Sequence, residues 1–179
     1  MSSLKTKLSA AMLALIAAGA SAPVLMAQFQ QEKEGVRLVA YPDGGGIWTI
    51  CGGVTRVDGK PVVKGMKLTA EQCAKIDALE QKKALDWVDR NVKVPLTEPQ
   101  KVGIASFCPW NIGPGRCFPS TFYRKLNAGD RIGACNEIKR WIWDGGRDCR
   151  LTKGQKDGCY GQVERRDQEA ELSCWELDE

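Results

Sequence analysis

The hydrophobic pattern of this chain opens with a long uncharged stretch. Residues 8–31 carry no charged side chain, Leu8 to Ala27 are rich in alanine, and Lys5 and Lys7 precede them. A positive flank followed by an apolar run is typical of a signal peptide or a membrane span. The pattern therefore predicts a membrane segment over residues 1–27 and a folded domain over residues 28–179.

The apolar run is long enough to cross a bilayer, which takes about 20 residues. However, Gly19, Ser21 and Pro23 interrupt it, so its insertion should be marginal. We expect an anchor that tethers the chain and later releases it. A cleaved signal peptide is the alternative, because Ala20-Ser21-Ala22 has the form of a cleavage site. Pro23 directly after such a cut would be an awkward position for a peptidase.

Beyond residue 27 the period of the pattern alternates between helix and strand. In order, the signals are a helix over 28–39, a Pro- and Gly-rich loop over 41–46, a strand over 47–51 and an Asp-Gly hairpin whose return runs through 61–63. The loop must end the helix, and the strand with the hairpin forms a small β-region.

The rest of the pattern is helical. The predicted helices span about 69–91, 97–108, 120–127, 130–143 and 161–175. The first two open on capping boxes, Thr69 with Gln72 and Thr97 with Gln100. We predict an α+β, mostly helical fold in which a small hairpin lobe lies beside a helical lobe, with a cleft between them.

Two residue counts change this picture. There are no histidines, which excludes a Ser-His-Asp triad, a Cys-His nucleophile pair and a His-ligated catalytic zinc. No C-x-x-C pair occurs, so a four-Cys zinc site is not expected either. We predict no metal and no cofactor, and carboxylates are the natural acid and base if the chain is an enzyme.

The second count is eight cysteines, all at or after Cys51. An even set behind an export-like segment indicates disulfides in an oxidising compartment, although buried free thiols are the alternative. Spacing does not determine the pairing. We expect these pairs: Cys51 with Cys73, Cys108 with Cys117, Cys135 with Cys174 and Cys149 with Cys159.

Charge argues against a nucleic-acid partner. The net charge is +4, and residues 28–179 carry only +2 of it. A nucleic-acid-binding domain usually has a dense basic face, which this balance does not supply.

Glu34 and Asp43 are the candidate acid and base. Glu34 lies near the end of the first predicted helix, and Asp43 lies in the glycine-rich loop after it. Glycosidases need two carboxyl groups across a cleft, one protonated and one ionised. From spacing alone, a solvated helix residue and an ordinary Pro-Asp-Gly turn residue explain the pair as well.

The stretch from Glu34 to Gly53 resembles the catalytic segment of phage-type lysozymes (glycoside hydrolase family 24). That segment has E-G-x-R-L-x-x-Y-x-D, a short Gly-containing loop and a [WY]-T-[IV] strand, and Glu34, Asp43 and Thr49 match it. Further similar segments lie at 95–97, 106–107, 111–113, 120–130, 140–141, 145–146 and 165–166. The resemblance covers nearly all of residues 28–179.

The resemblance implies a muramidase that hydrolyses peptidoglycan glycan strands. Glu34 would be the general acid, Asp43 would orient or activate water on the far face of the sugar, and Thr49 would help to place that water. Inversion would require the carboxyl groups to be roughly 6.5–9.5 Å apart. Trp110 and Thr121 fall where the family contacts glycan. Arg165 falls where a basic partner of Glu34 is expected.

The N-terminus resembles that of signal-anchor-release endolysins. This implies tethering on the periplasmic side of the host inner membrane, followed by release of a monomer into the periplasm. The anchor contains no cysteine, so activation by disulfide exchange within the anchor is not possible. We expect a conformational route instead, in which release lets the segment before Glu34 fold and completes the site.

The sequence departs from the family in two places. Most relatives carry a His shortly after the strand, where this chain has Gly52-Gly53-Val54, and residues 148–160 look like an insertion. Among the six tryptophans, we expect Trp110 to face glycan. The others are expected in the core: Trp48, Trp87, Trp141, Trp143 and Trp175.

Three other functions remain open. A lytic transglycosylase cuts the same bond without water, but it needs no water-orienting Asp43. A non-catalytic peptidoglycan-binding protein need not retain Glu34, Asp43 and Thr49 together. A disulfide-rich secreted inhibitor would not explain the membrane segment.

Overall fold

The computed structural model describes residues 6–177, and this part of the chain is mostly helical. Lys5, one of the two lysines before the apolar run, lies outside the described residues. The helices are α1 (Ala10–Ala17), α2 (Ala22–Glu34), α3 (Ala70–Asn91), α4 (Glu98–Ala105), α5 (Pro114–Cys117), α6 (Thr121–Asn127), α7 (Arg131–Ile138) and α8 (Tyr160–Ser173). A π-helical segment, Ser106–Ile112, continues α4, and a short 3-10 turn covers Cys149–Thr152.

Within the described residues, six short strands form three separate antiparallel hairpins. The strands are β1 (Arg37–Pro42), β2 (Trp48–Cys51), β3 (Arg56–Val57), β4 (Lys60–Pro61), β5 (Trp143–Asp144) and β6 (Arg147–Asp148). The predicted mostly helical fold with small hairpins is confirmed. The Asp-Gly turn is confirmed too, because Asp58 and Gly59 have φ values of 49° and 76° between β3 and β4.

The residues of the predicted anchor form two helices that join the folded domain. α1 ends at Ala17, and Gly19 follows its C-cap with φ +70° and donates its N–H to the carbonyl of Ile16 (2.9 Å). Glycine is favoured at this position of a helix C-terminus because it adopts the left-handed conformation without steric cost. α2 then begins at Ala22 with Pro23 in its first turn, a position that needs no N–H donor.

Along residues 6–177, no helix combines the length and the apolar character needed to cross a membrane.

Between residues 6 and 177, two buried clusters correspond to the two predicted lobes. The larger cluster joins the helices and includes Met12 of α1, Leu25 and Phe29 of α2, and Leu172 of α8. The smaller cluster lies under the β-region and contains Ile50, Cys51, Val62 and Cys73. The predicted boundary after residue 27 lies inside α2, and buried residues on both sides of it share the larger cluster. The division into 1–27 and 28–179 stays a prediction.

The predicted helix over 28–39 is wrong at its C-terminal end. α2 stops at Glu34, because Gly35 has φ +62° and leaves the helical conformation. Residues from Arg37 onward form β1, which pairs with β2 through Arg37 opposite Cys51 and Tyr41 opposite Thr49. Residues 37–39 form a strand because β1 pairs with β2 across the loop, and local periodicity carries no information about that pairing.

The predicted helix over 130–143 is also too long. α7 ends at Ile138, and Trp143 lies in the hairpin of β5 and β6 instead. The carbonyl of Ile142 accepts from the N–H of Cys149 (2.9 Å), which ties the chain back before another helical turn can form. Trp143 is 60% exposed, so its assignment to the core is wrong. Trp87 is buried, and Trp48, Trp141 and Trp175 pack against the clusters.

The capping boxes and the cysteine pairing agree with the predictions. Gln72 and Gln100 accept from the N–H groups of Thr69 (2.8 Å) and Thr97 (3.0 Å) through their side-chain oxygens. The four disulfides are Cys51–Cys73, Cys108–Cys117, Cys135–Cys174 and Cys149–Cys159. The last of these closes the segment 149–159 before α8, and the assignment of residues 148–160 as an insertion stays a prediction.

Candidate active site

Glu34 lies between the two lobes at the last residue of α2. Its carboxyl group accepts a hydrogen bond from the Nη1 of Arg165 on α8. On the other side, a Cβ added to Gly53 would lie 3.6 Å from the Glu34 carboxyl carbon. The side chain remains 25% exposed. Glu34 is therefore held in place yet open to a ligand.

A buried polar network fixes Arg165. Its Nε donates to Glu169 (3.0 Å), one helical turn later, and its Nη2 donates to Gln30 (3.1 Å). Ser106 donates to Glu169 (2.7 Å), and Arg166 forms an ion pair with the same carboxylate. Burial alone would lower the pKa of Arg165, but the carboxylates of Glu169 and Glu34 outweigh it and raise that pKa. Arg165 is thus a permanent cation beside Glu34, as predicted.

Asp43 occupies the turn between β1 and β2. Its Oδ1 accepts from the backbone N–H groups of Gly45 (2.9 Å) and Ile47 (2.8 Å). These bonds orient the carboxylate through the loop's own backbone, as in an Asx turn. The Oδ2 has no hydrogen-bond partner among residues 6–177, and the residue is exposed to solvent.

Thr49 follows this turn on β2 and is buried at 4% exposure. Its hydroxyl donates to the carbonyl of Ile47 (3.0 Å), the residue whose N–H is bound to Asp43. Ile47 therefore links Asp43 and Thr49 in one turn. The lone pairs of the Thr49 oxygen remain available to accept a hydrogen bond.

Tyr41 is a site residue to which the sequence analysis gave no role. Burial raises the pKa of its phenol, and the carboxylates of Glu34 and Asp43 raise it further. Its ring lies under the guanidinium of Arg37, at 4.2 Å. Tyr41 therefore stands within electrostatic range of both candidate carboxyl groups. Tyr41 is the tyrosine of the E-G-x-R-L-x-x-Y-x-D pattern, two residues before Asp43, and this position is the sequence feature that could have indicated it.

Trp110 and Thr121 line two different depressions. Trp110 lines a cavity of about 490 Å³ that begins at Gly53, beside Glu34, and extends along α3 to Trp87. Thr121 lines an open depression of about 550 Å³ together with Arg116 and Trp141. The structure does not bring Trp110 and Thr121 into one pocket, and only the Trp110 cavity contains a residue that borders Glu34.

A comparison with known proteins fits this geometry. Residues 31–169 match the model of the phage lysozyme family. The chain belongs to this family. A SAR-endolysin of Escherichia phage N15 is 71% identical over 175 residues, which cover 98% of each chain. A probable prophage lysozyme of Escherichia coli (strain K12) is 64% identical over 172 residues, 96% of each chain.

Solved structures agree. An endolysin from Escherichia coli O157:H7 phage FAHEc1 superposes with a TM-score of 0.69 at 32% identity, covering 86% of this chain and 90% of that one. The resemblance seen in the sequence is thereby confirmed, and with it the lysozyme-like fold and the prediction of a glycoside hydrolase of the lysozyme type. The roles of single residues in this phage lysozyme, and inversion, stay predictions.

Proposed function

We propose that this phage lysozyme is an endolysin that hydrolyses the β-1,4 bond between N-acetylmuramic acid and N-acetylglucosamine in peptidoglycan. The observation that carries the proposal is the position of Glu34, which is held by a buried arginine and remains open to ligand. Tyr41 lies near both Glu34 and Asp43, since the charges of both carboxylates add to the burial that raises the pKa of its phenol. This arrangement suits two carboxyl groups that act on one glycosidic bond.

In this proposal Glu34 donates its proton to the leaving glycosidic oxygen. The carboxylate that results is stabilised by Arg165, whose own orientation is fixed by Glu169 and Gln30. A preorganised cation stabilises developing negative charge without having to move during the reaction.

Asp43 and Thr49 orient the attacking water from the turn on the other side. Two backbone N–H groups hold one oxygen of Asp43, which leaves the second oxygen for a water molecule. The Thr49 hydroxyl accepts a hydrogen bond from the same water. Attack from the face opposite the leaving group inverts the anomeric carbon.

The cavity lined by Trp110 receives the glycan strand. It adjoins Gly53 and therefore starts where the scissile bond must lie, and aromatic walls suit the apolar faces of sugar rings. Thr121 would contact a more distant part of the substrate from its separate depression. No nucleic acid is expected among the partners.

The enzyme acts in the periplasm after release from the inner membrane. This step is supported by α2, which carries the end of the predicted anchor and terminates on Glu34. A membrane-embedded Leu25 cannot also be buried in the enzyme core, so tethering would displace the helix that supports Glu34. Release would let α1 and α2 pack onto the rest of the chain, which would complete the site of a monomeric enzyme.

Mass spectrometry of the sugar ends tests the proposal. Purified full-length protein is incubated with peptidoglycan, and reducing N-acetylmuramic acid ends are expected because water is the nucleophile. Anhydro ends would replace the proposal with a lytic transglycosylase and leave Asp43 without a role. An undigested wall with bound protein would indicate a non-catalytic peptidoglycan-binding protein.

A further inference from the structure

The turn beside Glu34 has an unusual backbone. Ile50 and Val54 exchange two backbone hydrogen bonds of 2.9 Å each and close a loop of three residues, Cys51-Gly52-Gly53. Cys51 has φ +57°, a conformation that side-chain-bearing residues rarely adopt. Gly53, with φ +100°, packs its backbone against the Glu34 carboxyl group. We call residues 51–53 the acid-facing turn.

Helix α3 holds the acid-facing turn at two consecutive residues. Cys73 forms a disulfide with Cys51. Asp77 follows Cys73 by four residues, on the same face of the helix. Its two carboxylate oxygens accept from the N–H of Gly52, at 3.0 and 3.2 Å. A Cβ on residue 52 would lie 3.0 Å from that carboxylate, so a residue larger than glycine would push the Asp77 side chain away from the turn.

Burial of the Asp77 carboxylate at this position is unfavourable in free energy. It is buried, with 9% of its surface exposed, and it has no cationic partner within residues 6–177. Burial raises its pKa, and the hydrogen bond from Gly52 opposes the shift only in part. A buried carboxylate without a cation destabilises a fold, which indicates a role other than stability.

We propose that Asp77 is a positioning residue, which acts with the Cys51–Cys73 disulfide to fix the acid-facing turn against the general acid. This rests on the proposed function of Glu34. The disulfide sets where Cys51 lies, and the Asp77 carboxylate sets the rotation of the next peptide group. Gly53 then limits how far the Glu34 carboxyl group can move away from the glycosidic oxygen.

Kinetics of Asp77→Ala on solubilised peptidoglycan test the proposal, with measurements well below the melting temperature. We expect kcat to fall about tenfold or more, because a displacement of about 1 Å is enough for such a loss. KM should stay within about twofold, because most of the Trp110 cavity is lined by α3 and by residues 109–114, which lie outside the acid-facing turn. Asp77→Asn keeps an acceptor oxygen for Gly52 and should recover most of kcat. Asp86→Ala is the matched control, since this carboxylate lies on the same helix and pairs with Lys82 at the surface.

An unchanged kcat in folded Asp77→Ala would overturn the proposal, as would a rise in KM with constant kcat. If Asp77→Ala does not fold, Gly52→Ala disturbs the same contact from the other side and should lower kcat alike. The ¹³C signal of the Glu34 carboxyl group gives a readout without turnover. It should shift in Asp77→Ala and not in Asp86→Ala. If the wild type proves inactive on glycan, this shift still decides whether Asp77 positions Glu34.

Discussion

At the scale of single residues, the site depends on a charge arrangement that is costly to bury and costly to break. Glu169 is fully buried and is shared by Arg165 and Arg166. Removing one member of such a cluster leaves uncompensated charge in a medium of low dielectric constant. The network therefore tolerates mutation poorly, but it fixes the position of Arg165 and, through Arg165, the position of Glu34.

Glu34→Gln should abolish lysis and leave the fold intact. Gln retains an oxygen that accepts from Arg165, and Arg165 keeps Glu169, so the melting temperature should hardly change. Activity should fall by roughly 10²-fold or more, because Gln cannot donate the proton. Turbidity loss of a cell-wall suspension measures this effect. Glu164→Gln, at an exposed acid next to Arg165, is the control, and substantial activity in Glu34→Gln would reject the acid assignment.

Glu169→Gln should destabilise the protein strongly. The amide cannot neutralise Arg165 and Arg166, and breaking a buried pair typically costs about 3–5 kcal/mol. Chemical denaturation of both proteins gives the free energy of unfolding. The control is Glu71→Gln, which breaks an exposed pair with Lys75 and should cost about 1 kcal/mol or less. Similar losses in the two variants would show that the network is not tightly coupled.

At the scale of elements, α2 combines two tasks that the sequence presents as separate. Its first half carries residues of the predicted anchor, and its last residue is Glu34. Gly35 ends the helix and β1 follows, so the acid lies directly at the junction of the helical core and the hairpin. The position of the acid therefore depends on whether the whole of α2 has packed.

At the scale of the whole molecule, the N-terminal segment belongs to the same core as helices α3, α4 and α8. Leu8, Met12 and Ala22 are buried in the larger cluster, and Glu171 of α8 accepts from the N–H of Lys7 (2.7 Å). A cut after Ala22 would remove these residues from the core. The structure therefore gives a physical reason to expect an anchor that is released without cleavage.

Peptide mapping of the periplasmic protein checks this expectation. Peptides that cover Leu8 to Ala22 should be recovered from the active, soluble fraction, because α1 and the start of α2 complete the core. A protein that starts at Pro23 and is fully active would establish the cleaved signal peptide instead.

The triple variant Gly19→Leu, Ser21→Leu and Pro23→Leu tests whether a weak anchor is needed for release. Leucine strengthens membrane insertion, and at position 19 it also strains the φ +70° conformation of the released form. This variant should stay in the membrane fraction and lyse cells poorly. Release at the wild-type rate would contradict a marginal anchor as the basis of the mechanism.

The sequence by itself determined the local features, because each depends on neighbours along the chain. The capping boxes at Thr69 and Thr97, the Asp58-Gly59 turn and the motif around Glu34, Asp43 and Thr49 are of this kind. Tertiary structure decided the end of α2, the exposure of Trp143 and the surroundings of Tyr41 and Asp77. These depend on strand pairing, burial and contacts between distant residues, which local periodicity does not encode. The apolar N-terminus shows the difference most clearly, since its composition suits both a membrane and a protein core, and only the packing of Met12 and Leu25 shows the second.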